Sequence, residues 1–222
     1  MIRIDHVHKR YRTTHGPGPW VLKDVDISIP RGCSVGLVGA NGAGKSTLLR
    51  LIAGADKPTR GAIERLCRVS WPLGLTGGVQ GQLTGRQNAK FVCRLLGHDD
   101  ELPSLLAFVQ DFCALGPAFD EPVGTYSTGM SARLKFALSL AFRFDVYLVD
   151  ELTAVGDTVF RKKSNEAFRE VIKTGSVIMV SHQEGPLKEF CQAGIFIDRG
   201  QAHWFDQLDD ALYAYRHSTP KA

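Results

Sequence analysis

The chain has 222 residues, 44% of them hydrophobic and 23% charged, with a formal net charge of +4. This composition suits one large domain, or a domain with an inserted subdomain, and excludes a disordered chain, which could not bury enough apolar surface to offset its ordering entropy. The charges are interspersed, so no nucleic-acid partner is expected, and the mild basic excess would equally suit a surface near anionic lipid. No apolar run reaches the ~20 residues of a spanning helix, and the N-terminus lacks a secretory pattern. A soluble chain is therefore expected, reaching a membrane only through a partner. The cysteines (Cys33, Cys67, Cys93, Cys113 and Cys191) are scattered, odd in number and never in a C-x-x-C pair. They read as reduced, buried thiols rather than a disulfide framework or zinc site.

In chain order, Ile2–Val7 and Val21–Pro30 alternate as half-buried strands, with a loop predicted at His15–Pro19 between them. The apolar run Ser34–Val38 predicts a buried strand and Thr47–Ile52 a helix stopped near Gly54, with a turn at Pro58–Gly61. From about Trp71 the pattern changes. Glycines from Gly74 to Gly85 make a flexible stretch, and helices are predicted over Gln87–Leu96, Leu102–Cys113 and Ser131–Phe142. Buried strands resume at Val146–Glu151 and Ser176–Val180, with helices predicted at Phe160–Lys173 and Pro186–Ala193. A hairpin over Ile195–Phe205 and a helix over Gln207–Arg216 close the chain. Strands alternating with helices indicate an α/β fold with a mainly parallel sheet.

The chemistry concentrates between the strand at Ser34–Val38 and the helix that follows it. Gly39-Ala40-Asn41-Gly42-Ala43-Gly44-Lys45-Ser46 is a phosphate-binding P-loop in its required strand–loop–helix context. Glycines let backbone N–H groups converge on phosphate oxygens at the positive end of a helix. Lys45 adds a point charge for the β- and γ-phosphates, and the Ser46 hydroxyl can ligate Mg²⁺. A nucleoside triphosphate is the expected ligand. The strand at Val146–Glu151 ends in adjacent carboxylates: Asp150 is placed to hold the Mg²⁺ shell, and Glu151 to orient and deprotonate a water. Ser127 and Gly129, in Tyr126-Ser127-Thr128-Gly129-Met130 just before a helix, form a second anion site. His182, just after a strand, can reach a γ-phosphate.

Taken together, these motifs resemble the nucleotide-binding domain of an ATP-binding cassette (ABC) transporter along almost the whole chain. The resemblance identifies Walker A at Gly39–Ser46, the signature at Tyr126–Met130, Walker B at Val146–Asp150, a D-loop at Ala154-Val155-Gly156-Asp157 and the switch His182. It assigns adenine stacking to Tyr11, with Trp20 as the other candidate, a contact of about 1 kcal/mol. Gln80 takes the Q-loop role of touching Mg²⁺ and the attacking water, with Gln82 as the other candidate. Thr47 and Asp157 join the nucleotide site. The implied fold is a P-loop NTPase (RecA-like) core over about 1–70 and 143–222, with an N-terminal antiparallel β subdomain and an inserted α-helical subdomain over about 71–142.

The signature reads Tyr-Ser-Thr-Gly-Met where the family norm is Leu-Ser-Gly-Gly-Gln. That variant, together with Trp71-Pro72-Leu73-Gly74-Leu75, Gln82-Leu83-Thr84-Gly85-Arg86 and Asp150–Asp157, looks like the capsular polysaccharide export ATP-binding proteins (KpsT type). Related O-antigen and teichoic-acid exporters share several motifs, and many carry a further carbohydrate-binding domain; a chain ending at Ala222 favours the capsule branch. The resemblance implies an ATPase at the cytoplasmic face of the bacterial inner membrane, acting as a head-to-tail homodimer that sandwiches two ATP molecules. Its implied partners are two copies of a polytopic permease and, indirectly, periplasmic and outer-membrane export proteins.

Overall fold

A computed structural model describes residues 1–73, 79–150 and 158–218. They form two compact units. The first holds two sheets. Strands β1 (Ile2–Thr13), β2 (Gly16–Ile29) and β4 (Arg60–Arg65) make an antiparallel sheet in the order β2-β1-β4. The other sheet combines β3 (Val35–Val38), β5 (Val69–Pro72), β6 (Val146–Asp150), β7 (Ser176–Val180), β8 (Ala193–Asp198) and β9 (Gln201–Phe205) in the order β5-β6-β7-β3-β8-β9. All its neighbours are parallel except β8 and β9. Every residue of β3 and β7 is buried. That is why these strands are short apolar runs rather than alternating ones.

One core fills the space between the sheets, joining Ile2, Ile4, Leu22 and Ile27 to Val35, Leu37, Leu148 and Ile178. Leu48, Leu49, Leu51 and Ile52 of helix α1 (Lys45–Ile52) belong to it as well. At ~25 cal/mol per Å², each such side chain contributes roughly 1.5–3 kcal/mol. The opposite face of the large sheet has a notch where the register partners Gly36 and Gly194 lie side by side. A Cβ on Gly36 would come within 2.8 Å of Leu208, and one on Gly194 would run into Ala211. Helix α7 (Leu208–Ser218) therefore packs directly on bare backbone.

The second unit is helical: α2 (Gly85–Leu95), α3 (Leu102–Cys113), α4 (Thr128–Ala141) and α5 (Thr158–Ile172), with two short 3-10 turns between α3 and α4. Its core stacks Phe108 on Phe112 and Phe112 on Phe136, with Phe160 packed edge-on against the latter two. The guanidinium of Arg133 lies 4.9 Å from the Phe160 ring. Helix α6 (Glu184–Phe190) belongs to the first unit.

Several expectations need correction. Gly16–Pro19 is not loop but the start of β2, paired with Arg12 and Thr13 across a tight turn. The strand lies at the edge of its sheet, where prolines without an N–H are tolerated. Strands β4 and β5 were not anticipated; β4 is almost wholly exposed and has no apolar signal. The turn expected at Pro58–Gly61 runs into β4, and Gly61 lies so close to β1 that a Cβ would meet the Asp5 and His6 carbonyls. Helix α4 starts three residues early, and α6 ends at Phe190, leaving Ala193 to β8. Helix α5 belongs with the helical unit rather than with the sheets.

Candidate phosphate-binding site

The site starts from the geometry of the loop after β3. Gly39 has φ 150° and its Cβ would collide with the Ile197 carbonyl; Gly44 has φ 114° and its Cβ would sit 2.8 Å from Leu22. Larger residues are excluded at both positions by space as well as by conformation. Gly44 is the N-cap of α1 and offers no side-chain oxygen. The first-turn N–H groups of α1 are thus left for an external anion, at the positive end of the helix. Lys45 is buried, and its ammonium is held by the Gly39 carbonyl at 2.7 Å and the Ala40 carbonyl at 2.9 Å. The loop thereby fixes its cation above its own curve.

A cleft of about 200 Å³ opens over the loop, lined by Asn41, Gly42, Gly44, Lys45, Ser46, Thr47, Asp150 and His182, with Val21 and Val180 as apolar walls. That is smaller than the few hundred Å³ of a site enclosing a whole drug-sized ligand. It suits the phosphate end of a nucleotide, with the base lying outside. The convergence follows from sheet order. Strands β6, β7 and β3 are adjacent and parallel, so Asp150, His182 and the P-loop all emerge at the same end of the sheet. The Ser46 hydroxyl lies 3.4 Å from Asp150 Oδ1, longer than a good hydroxyl–carboxylate bond. Among the described residues no trio of His, Cys, Asp and Glu gathers to cage a metal. A pair of hard oxygen donors beside a phosphate site instead fits Mg²⁺, which takes one or two protein ligands together with substrate phosphates.

The other candidates are placed as follows. Tyr11 is among the exposed large side chains, with the Lys9 ammonium 4.7 Å from its ring. Lys9 itself is buried and bonds Asp56 at 2.6 Å and the Lys57 carbonyl at 2.8 Å. Burial pushes the Asp56 carboxyl up, but the bonds from Lys9 and the Lys57 N–H outweigh it and hold the group below the usual carboxylate range. The Trp20 ring is covered by the guanidinium of Arg10 at 4.5 Å.

In the helical unit, Ser127 is the N-cap of α4 and accepts from the Met130 N–H at 3.2 Å, so Thr128 and Gly129 form the first helical turn. Gln80 is exposed. Its main chain is clamped by Asn88 of α2, whose Oδ1 accepts from the Gln80 N–H at 2.7 Å and whose amide donates to the Gln80 carbonyl at 3.0 Å. Gln82 is exposed too. Glu151 and Asp157, with the rest of Ala154–Asp157, lie outside the described residues.

Sequence reading missed Asn88, Lys9 and Val21. A usable signal stood beside the first: Thr84-Gly85-Arg86-Gln87 is a capping box, observed with Thr84 Oγ accepting at 3.1 Å and Gln87 returning a bond at 2.9 Å. It marks the start of the helix that carries Asn88.

A glycine loop opening a helix, a carboxylate from a strand two places along the sheet and a histidine from the strand between them define a P-loop ATPase of the cassette type. The family profile of ABC transporters matches residues 22–154, and the chain belongs to that family. Among curated relatives it is 48% identical over 217 residues to the polysialic acid transport ATP-binding protein KpsT of Escherichia coli, covering 97% of this chain and 99% of the relative. It is 44% identical to the capsule polysaccharide export ATP-binding protein CtrD of Neisseria meningitidis serogroup B, over 99% of this chain and all of that one (100%). The O-antigen export system ATP-binding protein RfbB of Klebsiella pneumoniae stands at 36%, over 97% of this chain and 88% of its own. A solved ATP-binding subunit of an ABC transporter matches with TM-score 0.78 at 22% identity, covering 99% of this chain and 95% of its own, so the fold is shared.

Proposed function

We propose that this chain is the ATP-hydrolysing subunit of an exporter that moves a capsular polysaccharide across the inner membrane. The observation that carries the reading is the cleft uniting Lys45, Ser46, Asp150 and His182, in a chain nearly half identical to polysialic acid and capsule export ATP-binding proteins. The O-antigen and teichoic-acid export relatives, at 36% and 30% identity, rank behind them. Among the described residues no helix is long and apolar enough to cross a membrane. In this reading the polymer's path belongs to a separate permease, and this chain sits against it at the cytoplasmic face.

In this mechanism Lys45 and the first-turn N–H groups of α1 bind the β- and γ-phosphates of ATP. Ser46 and Asp150 would hold Mg²⁺, which when bound supplies positive charge against the phosphate oxygens. Glu151 polarises the in-line water and His182 holds the γ-phosphate and the water's geometry. A second copy, docked head to tail, brings Ser127 and Gly129 at the positive end of its α4 to the same γ-phosphate. Gln80, Asp157 and, on the adenine, Tyr11 complete the site. ATP binding favours the closed dimer because only that state makes both sets of contacts, and hydrolysis removes the difference. The dimer's motion is passed to two permease copies, and the polymer onward to periplasmic and outer-membrane partners.

Glu151→Gln tests this reading. The variant is expected to bind ATP, run as a stable dimer on size exclusion only when ATP is present, and leave polymer inside cells with none at the surface. A normal capsule in cells carrying only Glu151→Gln would refute the assignment.

A further inference from the structure

The outer face of the β2-β1-β4 sheet carries a cluster that the phosphate chemistry does not use. Arg10 and Trp20 are register partners on adjacent strands. The Arg10 guanidinium lies 4.5 Å from the centre of the Trp20 ring, Arg60 of β4 lies 5.6 Å from it, and His8 meets the ring edge-on at 5.5 Å. Lys9 pairs with buried Leu22 and is itself buried, whereas Arg10 and Trp20 are half-buried and Arg60 is exposed. Arg12, two residues further along β1, is exposed. Among the described residues no carboxylate lies within ion-pair distance of Arg10, Arg12 or Arg60.

A guanidinium packed on an aromatic face is held in one plane, with its N–H fork still directed outward for two oxygens of one anion. The cluster thus presents guanidinium groups with no carboxylate partner among the described residues, chemistry suited to phosphate-type anions. We propose that this face docks on anionic phospholipid headgroups, resting on the reading that the chain works against a membrane. Charge complementarity selects an anionic over a neutral surface. A single-stranded nucleic acid needs an open aromatic platform for stacking bases. Trp20 offers none, because arginines already occupy its ring.

The test is vesicle co-sedimentation of the purified full chain, with no permease and no polymer present. Vesicles of phosphatidylcholine alone are compared with vesicles containing roughly a third phosphatidylglycerol. The wild type is expected to sediment only with the anionic vesicles and to release at high salt. The Arg10→Gln/Arg60→Gln variant is expected to bind them roughly 30-fold more weakly, the equivalent of about 1 kcal/mol per arginine, with ATP turnover and unfolding midpoint unchanged. Equal binding by the variant, or equal binding to neutral vesicles, overturns the proposal. So does arginine-dependent binding to single-stranded DNA or an acidic polysaccharide without vesicle binding. Failure here leaves the export reading standing, because that reading is tested by capsule formation and not by lipid.

Discussion

Replacing Asn88 by leucine removes a clamp and puts a side chain of similar size in its place. Asn88 is fully buried. Its Oδ1 accepts from Gln80 N–H, and its Nδ2 faces the carbonyls of Gln80, Leu83 and Thr84 at 3.0, 3.2 and 3.0 Å. Two amide hydrogens serve those acceptors, so the substitution deletes the equivalent of three bonds. At about 1 kcal/mol each the loss is about 3 kcal/mol, partly offset by the apolar gain of leucine. For a chain of this length that is a fall in Tm of roughly 5–10 °C. The functional consequence is separable. The P-loop lies in the other unit and keeps its geometry, so ATP affinity should hold, whereas kcat should fall because Gln80 loses its anchored backbone. Urea denaturation gives the stability, and equilibrium ATP binding beside steady-state turnover gives the split. A stability change under about 0.5 kcal/mol, or a loss of ATP affinity matching the loss of kcat, would refute the reasoning.

Lys9→Met should destabilise the fold by about 2 kcal/mol at pH 7, below the value for a fully buried pair because Asp56 stays partly exposed. The Asp56 carboxyl is held below its ordinary range, so its contribution is present above the unfolded value near pH ~4 and lost as pH falls through the lower folded value. Urea midpoints of wild type and variant should therefore converge in acid and separate at neutral pH; a constant gap would count against the ion pair. Burial pushes the Cys191 thiol up to about 12, with the nearby Cys33 adding to the shift. Cys191 should resist a disulfide reagent at pH 8 in the folded protein, while half-buried Cys67 reacts first. Mass spectrometry of the labelled peptides checks the order.

The parts of the fold that were legible are those whose signal is local. The P-loop needs only one strand, one turn and one helix start, all within Ser34–Ile52. Buried parallel strands such as Val146–Asp150 announce themselves as apolar runs. Strand β4 does not: its largely exposed residues Arg60–Arg65 become a strand only by pairing with β1, about sixty residues earlier in the chain. Glycine and proline misled at Gly16–Pro19, because their turn preference is overridden by a partner strand. The start of α4 was read late because Thr128 and Gly129 are poor helix formers; the Ser127 cap decides it. Motifs alone supplied Asp150 and His182 as candidates. Their meeting over Lys45 depends on the strand order β6-β7-β3, which no local pattern encodes.

That strand order has a mechanical consequence. Asp150 pairs in register with Val180, and Val180 pairs with Leu37, one residue short of the end of β3. The oxygen donors and the histidine are therefore spaced by a hydrogen-bonded ladder rather than by flexible loops alone. A one-residue slip of either ladder would carry a side chain ~3.3 Å along the sheet, more than the tolerance of any phosphate or cation contact. The sheet thus acts as a gauge block, in which apolar strand pairing at Leu37, Val149 and Met179 sets the spacing of the polar groups around the P-loop cleft.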